Sequence, residues 1–252
     1  MDKGKYIYCI IGTDKEKEFD VEAIGDPAHR VYTVGYRDIA AVVSDSPVEE
    51  YEITRENTLA HQRVMEGVMR EHTVLPVRFN TIAESNQKNG PEARINQEVL
   101  KRRSKEFKDL LAELNGKEAL GVKALWTDMD LVYAEIATNN RTIRRLRGKR
   151  VSRDTGIEIG HQVRAALEEK KEREERAILN VLKEVSHDFC INEGYGDRMV
   201  TNASFLVETD RREAFDDRLD QLMTKRDGRM VFKYVGPMPP SDFVEIVVNW
   251  EA

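Results

Sequence analysis

The segment GIEIGHQVRAALEEKKEREERAILNVLKEVSHDF, residues 156–189, restricts the possible folds of this chain more than any other. Ile159, Val163 and Ala166 step by four and three, and Ile178, Val181, Leu182, Val185 and Phe189 form a later apolar stripe. Both spacings fit one face of an α-helix. Between them EEKKEREER, residues 168–176, has no apolar residue, and pairs Glu169 with Arg173 and Glu172 with Arg176 at the favourable i,i+4 spacing. A helix over 157–189 would be about 50 Å long. That exceeds the width of a small domain, so part of it is expected to stand in water. Upstream, Val132, Ile136, Asn139, Ile143 and Leu146 also step by four and three, the spacing of a coiled-coil seam. The two runs predict an antiparallel helical hairpin over about 130–189, with Asn139 as a polar seam residue and the basic link RLRGKRVSRDTG as its tip.

Around this insertion, β-rich runs alternate with amphipathic helices. KYIYCIIG reads as a first strand and VYTVGYRDIAAVVSD as a hairpin. Thr54 is a plausible N-cap for a helix to about His72, with His61, Val64, Met65, Val68 and His72 on one face. A second helix is expected from about Pro91 to Leu114. EALGVKALW, MVTNASFLVET, GRMVFKYVG and DFVEIVV read as strands of a second sheet, with RREAFDDRLDQLMTK as its helix, burying Phe215, Leu219 and Leu222. Mixed strands and helices with hairpins predict an α+β chain, each sheet carrying helices on one face. The boundaries expected are an N-terminal domain over 1–115 and a C-terminal domain over 116–252 that contains the hairpin.

Charge and composition narrow the function. The net charge of −6 argues against a general nucleic-acid binder. The basic tip (Arg141, Arg144, Arg145, Arg147, Lys149, Arg150 and Arg153) keeps open an alternative reading as a module for nucleic acid or an acidic surface. Against it, no aromatic is interleaved and the facing helix is acidic. No segment approaches the roughly 18 apolar residues of a membrane span, and the apolar run at the start is too short for a signal peptide; a cytoplasmic protein without a membrane partner is expected. Cys9 and Cys190 are too few and too far apart for a disulfide framework. His61 and His72 would lie about 16 Å apart on one helix, too far for one metal, and His29, His161 and His187 lack a partner at ligand spacing. No nucleophile elbow, zinc helix or phosphate loop is present. The expectation is a non-enzymatic protein with no catalytic residues, metal or cofactor.

TVLPVRFNTI, residues 73–82, is the least ordinary strand. With period two, Leu75, Val77 and Phe79 share one face and Pro76, Arg78 and Asn80 the other. Pro76 has no N–H for a ladder, which demotes the run to an edge strand or to the first residues of one. Arg78 must face solvent, another domain or a partner, because an unpaired buried charge is costly.

TVLPVRFNTI and YVGPMPPSDFVEI closely resemble the two signatures of the gas-vesicle protein F/L family. YIYCIIG, ENTLAHQRVMEGVM, GIEIGHQVRAALEEKK and NASFLV resemble further family segments in the same order, so nearly the whole chain is covered. Asn80 stands where the family usually has glycine; asparagine best tolerates positive φ among the other residues, so the same turn is expected. Met238 replaces an aromatic and Ser241 a tyrosine, while Pro237, Pro239 and Pro240 remain and imply a stiff extended segment outside any central strand. The resemblance implies two ferredoxin-like α+β domains, the second with a coiled-coil element. It also implies a non-enzymatic accessory role in gas vesicle assembly, with the hydrophobic shell protein and other accessory proteins as partners and the gas vesicle as location. Pro76, Arg78, Phe79, Asn80, Gly236, Pro237, Pro239, Pro240 and Phe243 are the implied partner or interdomain contacts. An F-type and an L-type assignment are both open.

Overall fold

The computed structural model describes residues 3–146 and 153–250. The chain divides into two compact units, Met1–Glu118 with Pro237–Ala252, and Ala119–Gly236.

In the first unit, β1 (Lys3–Gly12) is central, and every residue from Tyr6 to Ile11 is fully buried. A strand buried on both faces needs cover on both. It pairs antiparallel with β4 (Ile39–Pro47), with a register shift between Ile7 and Cys9. β2 (Glu18–Phe19), β3 (Val31–Tyr36) and β4 extend the sheet on one side of β1; β5 (Val74–Pro76) and β6 (Ile82–Ala83) pair with its other side. The expected hairpin is β3–β4, turning through Arg37 at φ 56°, the positive φ that tight hairpin turns require.

Helix α1 (Arg55–Met69) starts where the sequence indicates, since the Thr54 side chain accepts from the Asn57 N–H. Its Val64, Met65 and Val68 pack with Tyr6, Tyr8, Ile11 and Val42. Alternate β4 residues Ile39, Ala41 and Val43 are buried as well, on the side approached by the next helical segment. The sheet therefore carries helices on both faces, not on one as expected. That segment is also not the single helix foreseen. It comprises α2 (Pro91–Arg94), a π-helical turn (Ile95–Leu100) and α3 (Ser104–Leu114). The wide turn turns adjacent residues Val99 and Leu100 both inward, where they are buried.

The second unit is a four-stranded sheet of order β10-β7-β9-β8. Its strands are β7 (Lys117–Trp126), β8 (Asp188–Ile191), β9 (Met199–Glu208) and β10 (Met230–Met238). Helices α4 (Met129–Asn139), α5 (Arg141–Leu146) and α6 (Arg153–Lys183) connect β7 to β8, and α7 (Arg212–Lys225) connects β9 to β10. Leu120, Val122, Ala124, Phe205 and Val207 form one core with Ile136, Ile178, Leu182, Phe215 and Leu219.

Two expectations change here. The long helix ends at Lys183; Phe189 belongs to β8, opposite Phe205 and stacked on it at 6.4 Å. Cross-strand aromatic pairing outweighs the helical spacing that Phe189 also satisfies. The four-three run breaks at Asn140, whose backbone is extended and whose Oδ1 accepts from the Ile143 N–H, so Asn139 is exposed rather than a seam residue. EEKKEREER keeps Glu168, Glu169, Glu172, Arg173 and Arg176 exposed while its other side is tied to its own unit: Thr201 donates to Glu175 at 3.0 Å, Arg226 reaches Glu174 at 3.4 Å and Lys170 reaches Glu135 at 2.8 Å. Residues 147–152 of the basic tip lie outside the described residues. Among the described residues, no helix is long and apolar enough to cross a membrane.

Candidate functional site

The 73–82 stretch is not one strand. Val77 N–H donates to the Tyr8 carbonyl and Ile7 N–H to the Thr81 carbonyl, so β1 holds both ends while residues 78–80 loop outward. The period-two reading fails at this loop: Leu75 and Val77 are buried, Phe79 is half-buried and Arg78 is exposed, but Pro76 is buried with the first group. Asn80 adopts φ 64°, the left-handed turn expected of it.

The outer edge at Pro76, which the sequence leaves open, is taken by the chain's own closing segment. Ile246 N–H donates to the Pro76 carbonyl at 2.7 Å and Arg78 N–H donates to the Ile246 carbonyl at 3.0 Å, a parallel bridge between Val77 and Ile246. DFVEIVV is thus not the last strand of the second sheet but an addition to the first unit. Pro76 does not prevent this pairing, because the bond uses its carbonyl and not the N–H it lacks.

Three arginines hold this segment. Arg78 Nε contacts Glu245 Oε2 at 3.0 Å. Arg103 donates to the Val247 carbonyl at 2.8 Å while gripping Glu106. The Arg94 guanidinium lies 4.8 Å from the Trp250 ring centroid, bonds Glu98 through two nitrogens and donates to the Glu84 carbonyl. Nine residues apart, Arg94 and Arg103 would lie on opposite sides of a regular helix. The π-helical turn between them changes that phase.

Beneath the loop lies a buried polar chain. Asn80 N–H donates to Tyr6 Oη at 3.1 Å, and Tyr6 Oη lies 3.0 Å from His61 Nδ1. His61 also bonds the Val77 backbone; as donor to that carbonyl its ring is neutral, with Nδ1 accepting from Tyr6. Burial holds the imidazole down at about 4 and pushes the Tyr6 phenol up. Phe79 packs edge-on against His61 and Tyr6, at 5.7 and 6.2 Å. The Asn80 amide clamps Tyr51 from both sides, accepting its N–H at 3.0 Å and donating to its carbonyl at 2.7 Å. Sequence reasoning singled out Arg78 but missed Tyr6, Tyr51, Arg94 and Arg103; the tyrosines of β1, unusual in a fully buried strand, hinted at a polar partner.

Pro76, Arg78, Phe79, Asn80, Pro239, Pro240 and Phe243 all belong to the first unit. Pro239 lines one cleft with Pro76, Phe79, His61, Met238 and Glu245. Pro237 is the last residue but one of edge strand β10 and is exposed, whereas Pro239 and Pro240 are buried. The extended segment expected there holds through Met238, the end of β10; from Pro240 on the chain turns, with the Phe243 and Val244 N–H groups both donating to the Pro240 carbonyl. Gly236 falls in the other unit, at φ 136°, where a Cβ would come within 2.8 Å of Leu120 Cδ2 and 3.0 Å of the Ala119 carbonyl oxygen. Only glycine fits that approach to β7.

A family model described as gas vesicle synthesis protein GvpL/GvpF matches residues 4–245. The chain belongs to the GvpL/GvpF family. Gas vesicle protein F1 of Halobacterium salinarum is 28% identical over 254 residues, covering 100% of this chain and 97% of that protein. Gas vesicle protein L1 of the same organism is 24% identical over 264 residues, covering 96% and 91%. The crystal structure of GvpF from Anabaena sp. PCC7120 superposes with a TM-score of 0.81 at 22% identity, covering 97% of this chain and 99% of that one. GvpF from Microcystis aeruginosa gives 0.75 at 20% identity, covering 95% and 98%. Both share the mixed helix and antiparallel-sheet fold of this GvpL/GvpF member.

Within this family member no group of three or more His, Cys, Asp or Glu side chains among the described residues is arranged to hold a metal ion. Cys9 is fully buried, which raises its thiol far above the reactive range. The surface around residues 76–84 presents one exposed guanidinium, that of Arg78, and the half-buried ring of Phe79.

Proposed function

We propose that this GvpL/GvpF-family chain is a non-enzymatic assembly factor that binds the hydrophobic shell protein and other accessory proteins while gas vesicles form. On this reading it works in the cytoplasm and at the vesicle. The family supplies involvement in gas vesicle formation. The observation that carries the finer reading is the meeting of the two signature stretches: Arg78 and Glu245, 167 positions apart, form an ion pair on one surface of the first unit. A surface assembled from two distant motifs and lacking an acid–base pair suits binding better than turnover. The order β10-β7-β9-β8 with helices in the first and third connections supports reading the second unit as ferredoxin-like. We extend that reading to the first unit and take α4–α6 as its partner's helical hairpin, a coiled-coil element.

The test is a pulldown with the shell protein and the accessory proteins of the same gene set, alongside deletion of the gene. Deletion should abolish buoyant, light-scattering vesicles, and normal vesicles without the gene would refute the reading. Arg78→Ala should lower vesicle yield and shell-protein recovery while the chain stays folded, because an ion pair this exposed stabilises by only about 0.2–1 kcal/mol. Unchanged vesicles in that variant would remove Arg78 alone from the contact. Salt-sensitive binding to DNA or RNA would instead favour the basic tip.

A further inference from the structure

Between the 78–84 loop, the 48–53 connection and residues 247–250 lies a concavity of about 670 Å³, which shares Thr58 and Phe79 with the cleft beside His61 and is confined to the first unit. Val48, Ile53, Ile82, Val248 and Trp250 give it apolar walls. Ile53 is 86% exposed, so its side chain waits at the mouth rather than packing inward. Leaving an isoleucine in water forgoes about 2 kcal/mol of burial, which a partner would recover. Glu49, Glu50 and Glu84 stand around it, all exposed, and among the described residues none has an ion-pair partner. Arg78, the one cation in the lining, is already paired with Glu245. The surface is therefore a hollow with apolar walls, interspersed with Thr58, Asn80, Thr81 and Asn249, and with an acidic rim that has no ion-pair partner among the described residues.

We propose that this concavity docks a basic amphipathic segment of a partner protein: apolar side chains enter beside Ile53 and Trp250, and lysine or arginine side chains meet Glu49, Glu50 and Glu84. Charge complementarity selects this occupant, since an acidic segment would set like charges together around an apolar contact and a purely apolar one would leave the carboxylates without partners. The Trp250 ring, stacked on Arg94, gives the hollow a rigid aromatic wall. The assignment rests on the assembly-factor reading and adds to it the place and chemistry of the contact.

The probe is a synthetic helical peptide with leucine on one face and lysine on the other, and a twin with glutamate for lysine. The full chain carries Trp126→Phe, so the remaining tryptophan, Trp250, reports occupancy. The lysine peptide should change its fluorescence saturably and more weakly as salt rises, and the glutamate peptide should not. Glu49→Lys, Glu50→Lys and Glu84→Lys together should weaken the lysine peptide about tenfold or more and admit the glutamate peptide. Reversing Glu168, Glu172 and Asp217 in the other unit should leave binding unchanged. Equal binding of both peptides, or equal loss in the two reversed variants, would overturn the site. The rim variant is also tested for vesicles: loss of vesicles on gene deletion but not in the rim variant overturns this surface and leaves the assembly role standing, whereas vesicles that survive deletion overturn that role whatever the peptides do.

Discussion

At Asn80 two opposing effects meet. Its positive φ disfavours any residue with a Cβ, though asparagine least of the larger ones. Its amide then makes two hydrogen bonds to the Tyr51 backbone that glycine, the family's usual residue there, could not make. Asn80→Gly should therefore cost only about 1 kcal/mol, while Asn80→Ala, which keeps the strain and loses both bonds, should cost about 3 kcal/mol; urea denaturation gives the order. His61 sets a pH dependence. Its folded pKa of about 4 lies below the ordinary 6.5 because burial disfavours the charged ring. The unfolded chain takes up the proton first, so stability is full above pH 6.5 and falls as pH drops toward 4, by about 3 kcal/mol in all. In His61→Gln the unfolding free energy should be lower at neutral pH, and this part of its slope between pH 4 and 6.5 should vanish.

The closing segment is the element that most changes the first unit. It buries Val77, supplies the partner of the Arg78 N–H and anchors on Arg103 and Arg94. Val77 N–H, by contrast, bonds to Tyr8 in β1. Ending the chain after Met238 should make the Arg78 amide exchange with solvent quickly while the Val77 amide stays slow, because only the first loses its acceptor. Equal protection of both amides in the shortened chain would mean that the segment does not close this edge.

At the scale of the molecule, the second unit is one continuous stretch, Ala119–Gly236, and the first is assembled from both sides of it. A fragment covering 119–236 should unfold cooperatively by itself. A fragment ending at 118 should be less stable than one in which 1–118 is joined by a flexible linker to 237–250, since only the latter restores the Ile246 bonds. Circular dichroism on thermal unfolding of the three fragments decides this.

Local patterns determined much of this protein. Thr54 caps its helix, β3 and β4 turn at Arg37, Asn80 takes positive φ, and Phe215, Leu219 and Leu222 are buried on α7, all from spacing and side-chain chemistry within a few residues. The family-like stretches around Arg78 and Pro239 were visible in the same way. Tertiary structure decided what depends on distant partners. Phe189 left a helical pattern because β9 offered Phe205, and the 91–114 helix widened where the sheet took in two adjacent residues. The 239–250 segment meets the Pro76 edge through bonds to Pro76 and Arg78 and contacts with Arg94 and Arg103, partners far away in sequence. Periodicity records which face of an element is apolar; it carries no information about which edge, hundreds of atoms away along the chain, that element will meet.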